Sequence, residues 1–553
     1  MNQRYGTKAD GAKVPGATRR IEHFGFPLLV LAPFLVIAGR AFAYRGHIYL
    51  HSDWAFADIQ VHRAMRWTQL VGVYDRFGWH HPGPFYLYLV ALFEDIVGRS
   101  HGGQAQIIAA ALIAGLSVAG IVFVMGQLRG SWGAAAAVMA MVITTIAVSG
   151  HPSPLVLAWT PYVVVMPVAL VGVLCIAASL GSGTALAAAV LVGSFAIQTD
   201  VSTAPVVCAF VVVAGIAFVL RNRRTTEHPD SDAVPTRSLS RLPTLVLLIT
   251  TGVSWIPPLI QEFTGAPGNL TLLTRFFLHQ HHADAGLSMS AASVGWAESV
   301  VLGVSAPLLV TSKMVGLLLL LGVGAVATAV IAGSVRRRDA VALAGGSALA
   351  LGTVVTVIAG THIVAPLWSY YLIWVAGVAA IGLLALVTFV SHWSVDRLTG
   401  SRRKLLVRIW SLTAAVSVVG LSVWAFTLPS PASTSYVPVG SVFRVMAPVV
   451  ERDASARIGV SGVGPNYLAF VSGVADELDN RGIPFSVPKA LLNHYSAANA
   501  RPATRWVVLV ERPYLMPAGY HRIGEADNIS VGYTTTPPKP FTDLPRGPTT
   551  SPS

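Results

Sequence analysis

Between residues 45 and 104 the chain gathers the side chains that acid–base and phosphate chemistry use. His47, His51, Asp53, Asp58, His62, Arg63, Arg66, Asp75, Arg76, His80 and His81 are interleaved with Trp54, Trp67 and Trp79. Solvated loops are polar in any case, but this mixture has a chemical logic. An indole face packs on a sugar ring, an arginine fork grips phosphate oxygens, and a carboxylate takes a proton from an attacking hydroxyl. Those are the demands of a sugar phosphate carried on a lipid. Ser52 or Asp53 reads as the cap of a helix running through Arg63. Positions five apart on a helix differ by about 140°, so Asp53 and Asp58 have different jobs. Asp53, at the mouth of the helix, either caps it or serves as catalytic base, whereas Asp58 shares a face with His62 and is the second candidate.

Gly78-Trp79-His80-His81-Pro82-Gly83-Pro84 brings two imidazoles to a rigid turn. They either bond a phosphate or hydroxyl or pack the turn. A zinc site needs about four ligands, and no His-Glu-x-x-His or cysteine spacing is present, so no metal site is expected here. A second polar loop, about 257–313, opens with Pro257-Pro258 and Glu262, continues through Gly265 to Asn269 and ends near His279-Gln280-His281-His282. Helix breakers at a membrane boundary fit a loop that folds back over a cavity, or a plain connector. Gln198-Thr199-Asp200 closes an apolar tract with a carboxylate that is either functional or a solvated helix end.

The elements that must hold these groups are apolar. Of 553 residues, 54% are hydrophobic and 11% charged, less than half the charge of an ordinary soluble domain. Tracts of span length recur at 24–44, 105–127, 132–149, 161–180, 184–198, 203–220, 243–259, 314–333, 340–360, 367–390 and 406–427, about 11 in all. The net charge of +13 sits in clusters between them, as the positive-inside bias predicts, and does not indicate a nucleic-acid partner. The tract Pro84–Val97 is too short to span and ends in Glu94-Asp95. Laid along the outer surface, it leaves the arginines at 221–241, Arg336–Arg338 and Arg402-Arg403-Lys404 all on the cytoplasmic side. The amino terminus is then cytoplasmic, residues 45–104 and 257–313 are extracytoplasmic, short outer turns fall near His151 and His362, and the carboxy terminus lies outside. Ala41-Phe42-Ala43 resembles a signal-peptidase site, but Arg40 and the later spans favour a retained anchor. Cys175 and Cys208 lie in apolar runs and offer neither a disulfide framework nor a cysteine-rich metal site.

After residue 428 the span-length tracts stop. Residues 429–536 read as a small extracytoplasmic α/β domain, with strands at 457–460, 485–487 and 506–510 and a helix over Tyr467–Asn480. Gly459, Gly462 and Gly464 miss the dinucleotide-binding spacing. The Pro/Thr/Ser-rich tail 537–553 reads as disordered. The fold class is therefore a polytopic α-helical membrane protein, 1–428, with an α/β carboxy-terminal domain.

Ser52-Asp53-Trp54-Ala55-Phe56-Ala57-Asp58, followed by His81-Pro82-Gly83-Pro84-Phe85-Tyr86-Leu87, resembles the acidic motif and proline-aromatic helix start of GT-C superfamily glycosyltransferases. Those proteins keep the amino terminus inside and carry an acidic motif in the first outer loop. Actinobacterial members that build arabinan and mannan also have large extracytoplasmic carboxy-terminal domains. The acidic pair here is spread over five positions and is not an adjacent Asp-Asp. The resemblance implies inverting transfer of a sugar from a polyprenyl-phosphate donor to a glycan or glycolipid acceptor at the plasma membrane. Asp53, with or without Asp58, would be the base. Arg63, Arg66 or Arg76, helped by His80 or His81, would hold the phosphate, with Trp79 beside them. No cofactor is identified, and an assisting divalent cation is left open. A multi-span transporter or lipid flippase is the rival reading, and an envelope scaffold the third. No inverted repeat supports the transporter.

Overall fold

The structure, a computed structural model, describes residues 25–149, 154–227, 241–279, 285–304, 312–451, 456–495, 497–516 and 519–536. The basic amino-terminal stretch, the turn at His151, Arg237, Gln280, the His281-His282 pair and the tail 537–553 lie outside the described residues. Among those described, nine helical stretches are long and apolar enough to cross a membrane. The chain is a polytopic helical membrane protein with a sheet-containing carboxy-terminal region.

Helix α1 (Gly25–Ala43) is followed by α2 (Ser52–Met65), a hairpin of β1 (Tyr74–Asp75) and β2 (Trp79–His80), and α3 (Phe85–Val97). With 13 residues, α3 is about 20 Å long, short of a roughly 30 Å hydrocarbon core. Helix α4 (Gly102–Val148) has 47 residues and would reach about 70 Å if straight. Gly130, at φ 72° and ψ −162°, breaks it, a conformation open to a residue without a Cβ. Ile121 and Met125 then share one core with Ala134, Val138 and Met141, so the helix folds back as two arms, matching the tracts 105–127 and 132–149.

The bundle continues with α5 (Thr160–Ser179), α6 (Gly183–Thr199), α7 (Ala204–Glu227), α8 (Arg241–Thr264), α9 (Asn269–His279), α10 (Leu287–Ser299), α11 (Lys313–Arg337), α12 (Ala340–Gly360), α13 (Ser369–Val395) and α14 (Gly400–Thr427). Val168, Val171, Phe210, Leu349, Trp374 and Ile381 form its central core. Helix α10 departs from the reading of 257–313 as loop. With 13 residues it is an apolar helix shorter than a span, and Gly295 and Gly316 let α10 and α11 approach until a Cβ on either would overlap the partner's backbone. At one end of the bundle Arg129 pairs with Asp339, so the α4 tip lies on the same side as Arg336–Arg338. At the other end the Arg40 guanidinium donates to the carbonyls of Ala425 (2.8 Å) and Leu428 (2.7 Å). These are last-turn groups of α14 with no partner of their own helix, so the first span caps the last.

Beyond α14 come α15 (Val437–Glu451), β3 (Ile458–Val463), α16 (Tyr467–Asn480), β4 (Phe485–Ser486), β5 (Arg505–Glu511), β6 (His521–Ala526) and β7 (Ile529–Thr534). The sheet order is β4-β3-β5-β7-β6, parallel across β4-β3-β5 and antiparallel across β5-β7-β6. The final hairpin was not read from the sequence. Its signal was the two-residue turn Asp527-Asn528, with Asp527 at φ 53°. Phe56 and Ile59 of α2 lie in the same core as Met446, Phe470 and Val474, and the Tyr436 N–H donates to the Tyr49 carbonyl at 2.8 Å. The sheet region therefore rests on α2.

The second long loop does fold back. Asn269 accepts the His80 N–H at 2.8 Å and donates to the His80 carbonyl at 2.9 Å, while Leu273 and Phe276 pack on Trp79.

Two substitutions test these ties. Arg40→Met is expected to cost about 1–3 kcal/mol by stranding the α14 carbonyls, seen as a lower melting temperature in detergent. Asn269→Ala is expected to leave the global melt nearly intact and to raise hydrogen exchange across residues 72–81.

Candidate active site

Ser52, at φ 49°, turns the chain sharply into α2, a left-handed conformation that costs a non-glycine residue about 1–3 kcal/mol. The turn sets Asp53 in the first helical turn with its side chain open to solvent. Its Oδ2 accepts the Trp159 indole N–H at 3.0 Å. The Trp159 ring lies 4.8 Å from Tyr370 and 6.1 Å from Trp54, and Tyr370 lies 4.5 Å from Tyr371. One wall of the recess is thus aromatic, contributed by the starts of α2, α5 and α13.

The facing wall comes from the β1–β2 turn and its neighbours. Asp75 accepts the Phe77 N–H at 3.0 Å. The Arg76 guanidinium sits 5.7 Å from the Tyr371 ring centre and 5.0 Å from that of Phe77, an attractive cation–π arrangement. His81 accepts the Val201 N–H on Nδ1 at 3.1 Å, so a neutral ring carries its proton on Nε2. The walls shield Asp53 from bulk water although solvent reaches it. That desolvation pushes its pKa up; the Trp159 N–H opposes the shift, the Asp75 charge adds to it, and His81 opposes it. Asp75 is also pushed up, by burial first, with Asp200 adding and His81 and Arg76 opposing. Asp200 itself accepts the Ser202 N–H and hydroxyl at 3.0 and 2.7 Å, which makes it a cap, though not a solvated one: it is 5% exposed.

The residues singled out from the sequence divide among four places. Asp53, Arg76 and His81 share the recess. Asp58 is fully buried on the other side of α2, beside Gln106 at 3.4 Å and His62 at 3.9 Å. Arg63 and Arg66, ten or more residues along α2 and so about 15 Å or more from Asp53, line a separate 660 Å³ cleft with Arg99, Arg457 and Asp479. His80 and Trp79 belong to the hairpin. Burial drives His80 down to about 4, and the Arg63, His81 and His494 charges act in the same direction against its bond to Gly72; it is neutral at physiological pH. Trp79 is 5% exposed and packs on Phe276, so it presents no open face to a sugar.

Trp159, Tyr370 and Tyr371 were not singled out. Aromatic residues at span ends are ordinary interfacial anchors, which hides a binding wall among them. Adjoining the recess is an apolar groove of 430 Å³ lined by Val201, Pro205, Leu278, Val355, Ile358 and Leu372, among others. Val201 and Leu372 directly follow Asp200 and Tyr371 in the chain. As for metal ligands, the described residues bring Asp58, His62 and Glu94 together, with ligand-type atoms within 4.8 Å of one another.

No family model and no curated protein matches the chain. Among solved structures it is similar to ArnT from Cupriavidus metallidurans in the apo state, at 15% identity and TM-score 0.48 over 94% of this chain and 98% of that one. For ArnT bound to undecaprenyl phosphate the values are 14% and 0.46, over 95% and 100%. The Archaeoglobus fulgidus oligosaccharyltransferase tethered with an acceptor peptide is similar at 11% identity and TM-score 0.42, over 83% of this chain and 63% of that one.

Proposed function

We propose that the chain is a membrane glycosyltransferase of the GT-C kind, which moves a sugar from a polyprenyl-phosphate donor to a hydroxyl of an envelope glycan or glycolipid on the extracytoplasmic side. The observation that carries this is a solvent-reached carboxylate, Asp53, bonded to Trp159 at one end of an aromatic row that runs through Tyr370 and Tyr371 to the Arg76 guanidinium, with the His81 charge acting on Asp53. The adjoining apolar groove supports a lipid-borne donor, because a polyprenyl chain lying there would bring its phosphate to the recess. The resemblance carries the narrower proposal of arabinose or mannose as the sugar.

In this reading the acceptor oxygen attacks the anomeric carbon while Asp53 takes the hydroxyl proton. The bond from that carbon to the phosphate oxygen breaks with inversion, and the leaving polyprenyl phosphate carries the charge away. Arg76 meets that charge and the His81 Nε2–H can donate to it. Arg63 and Arg66 are too far along α2 for this task. The sugar packs on Trp159 or Tyr370. The basic clusters on the side of Arg129 and Arg336–Arg338 support a cytoplasmic location for that side, and hence an extracytoplasmic one for the recess and the sheet domain.

Asp53→Asn is expected to insert and fold normally and to lower turnover by about 10²- to 10⁴-fold. In cells it should reproduce the glycan loss of a deletion strain while a polyprenyl-phosphate sugar accumulates; unchanged glycans would refute the reading. The base must be ionised, so activity falls as pH drops through the Asp53 pKa. Trp159→Phe removes the donor that holds this pKa down and should move the acid limb of kcat/KM to higher pH.

A further inference from the structure

On the face of α2 turned away from the recess, the structure packs an unusual concentration of buried acid. Asp58 and Glu94 have no exposed surface and Asp476 is 1% exposed. Asp58 Oδ2 and Glu94 Oε2 are buried with no donor from a neutral or cationic group, and the Asp476 carboxyl is hydrogen-bonded to that of Asp58. Such orphaned oxygens are costly in a native interior and call for a counter-charge. His62 stands in their midst, its Nε2 2.7 Å from Glu94 Oε1 and 3.9 Å from Asp58 Oδ2, while its Nδ1 bonds Asp479. Asp479 is held in turn by Arg99 at 3.5 Å.

We propose that Asp58, His62 and Glu94 form a zinc site beneath the sheet domain, with a water in the fourth position. The donor set is one imidazole and two carboxylates, at home with Zn²⁺. With zinc–ligand bonds of about 2.1 Å, tetrahedral ligands stand about 3.4 Å apart; the distances of 2.7 and 3.9 Å from Nε2 straddle that spacing, so shifts of a few tenths of an ångström accommodate the ion. The outer contact is also of the right type, since a ligating histidine gives its other N–H to a carboxylate, here Asp479. Gly102 adds a steric condition: a Cβ there would overlap the Asp58 carboxylate. The ligands come from α2 and α3 and the outer contact from α16, so the ion would pin the far end of the helix that begins with Asp53. It is separate from the recess and independent of the reaction proposed there.

The test uses the full chain purified in detergent, stripped with a chelator, then titrated with zinc chloride, with metal content and melting temperature as readouts. Wild type and Asp53→Asn are expected to bind one zinc per chain tightly and to melt higher with it. His62→Gln and Asp58→Asn should lose the bound zinc and the response. Asp479→Asn, which alters only the outer contact at a partly exposed position, should weaken zinc binding about 10- to 100-fold and keeps the test valid if the ligand variants do not fold. The proposal is overturned if wild type retains no zinc and its melt ignores both zinc and chelator. It is equally overturned if the zinc is lost with Asp53→Asn and kept in His62→Gln.

Discussion

A single helix of 14 residues, α2, has to serve two environments, and its periodicity decides which side chain meets which. Its amino-terminal turn opens on the recess, where Asp53 faces Trp159. The face with Asp58 and His62 is sealed under α16, and Phe56 and Ile59 belong to the core of the sheet domain. Two carboxylates five positions apart thereby acquire opposite environments, one reached by solvent and one wholly enclosed. The position of the sheet domain is consequently coupled to the orientation of the carboxylate at the helix mouth.

The recess has no contiguous sequence of its own. It forms where the starts of α5 and α13 and the turn between α6 and α7 meet the β1–β2 hairpin, which is in turn gripped by α9 through Asn269. Backbone that leaves helix at this depth must find partners within the protein, and the bonds of Asn269, His81 and Gly72 supply them. The same bonds that satisfy the loop hold His81 where its charge acts on Asp53. The apolar groove lies at the start of α7 and the end of α12, lined by Val201 and Leu372, which directly follow Asp200 and Tyr371 in the chain.

The sequence by itself determined the helical spans, the strand-bearing character of the carboxy-terminal region and the α16 helix, because each rests on local hydropathy and periodicity. It also located Asp53, whose position at a helix start after the first span is a local fact, and it separated Asp53 from Asp58 by helical angle. It did not reveal α10, which is shorter than a span and packs closely against α11. The Asp527-Asn528 hairpin carried a weaker local signal and was also missed.

Only the tertiary structure decided which arginine joins the aromatic residues beside the carboxylate. Arg63, Arg66 and Arg76 are equivalent in type and similar in sequence distance, yet a 660 Å³ cleft claims the first two and the recess the third. Trp79 and Trp159 exchange their expected prominence for the same reason: one fills a core with Phe276, the other donates to Asp53. Electrostatic and packing partners separated by tens to hundreds of residues are set by how helices cross and loops fold back, and that information is absent from spacing along the chain.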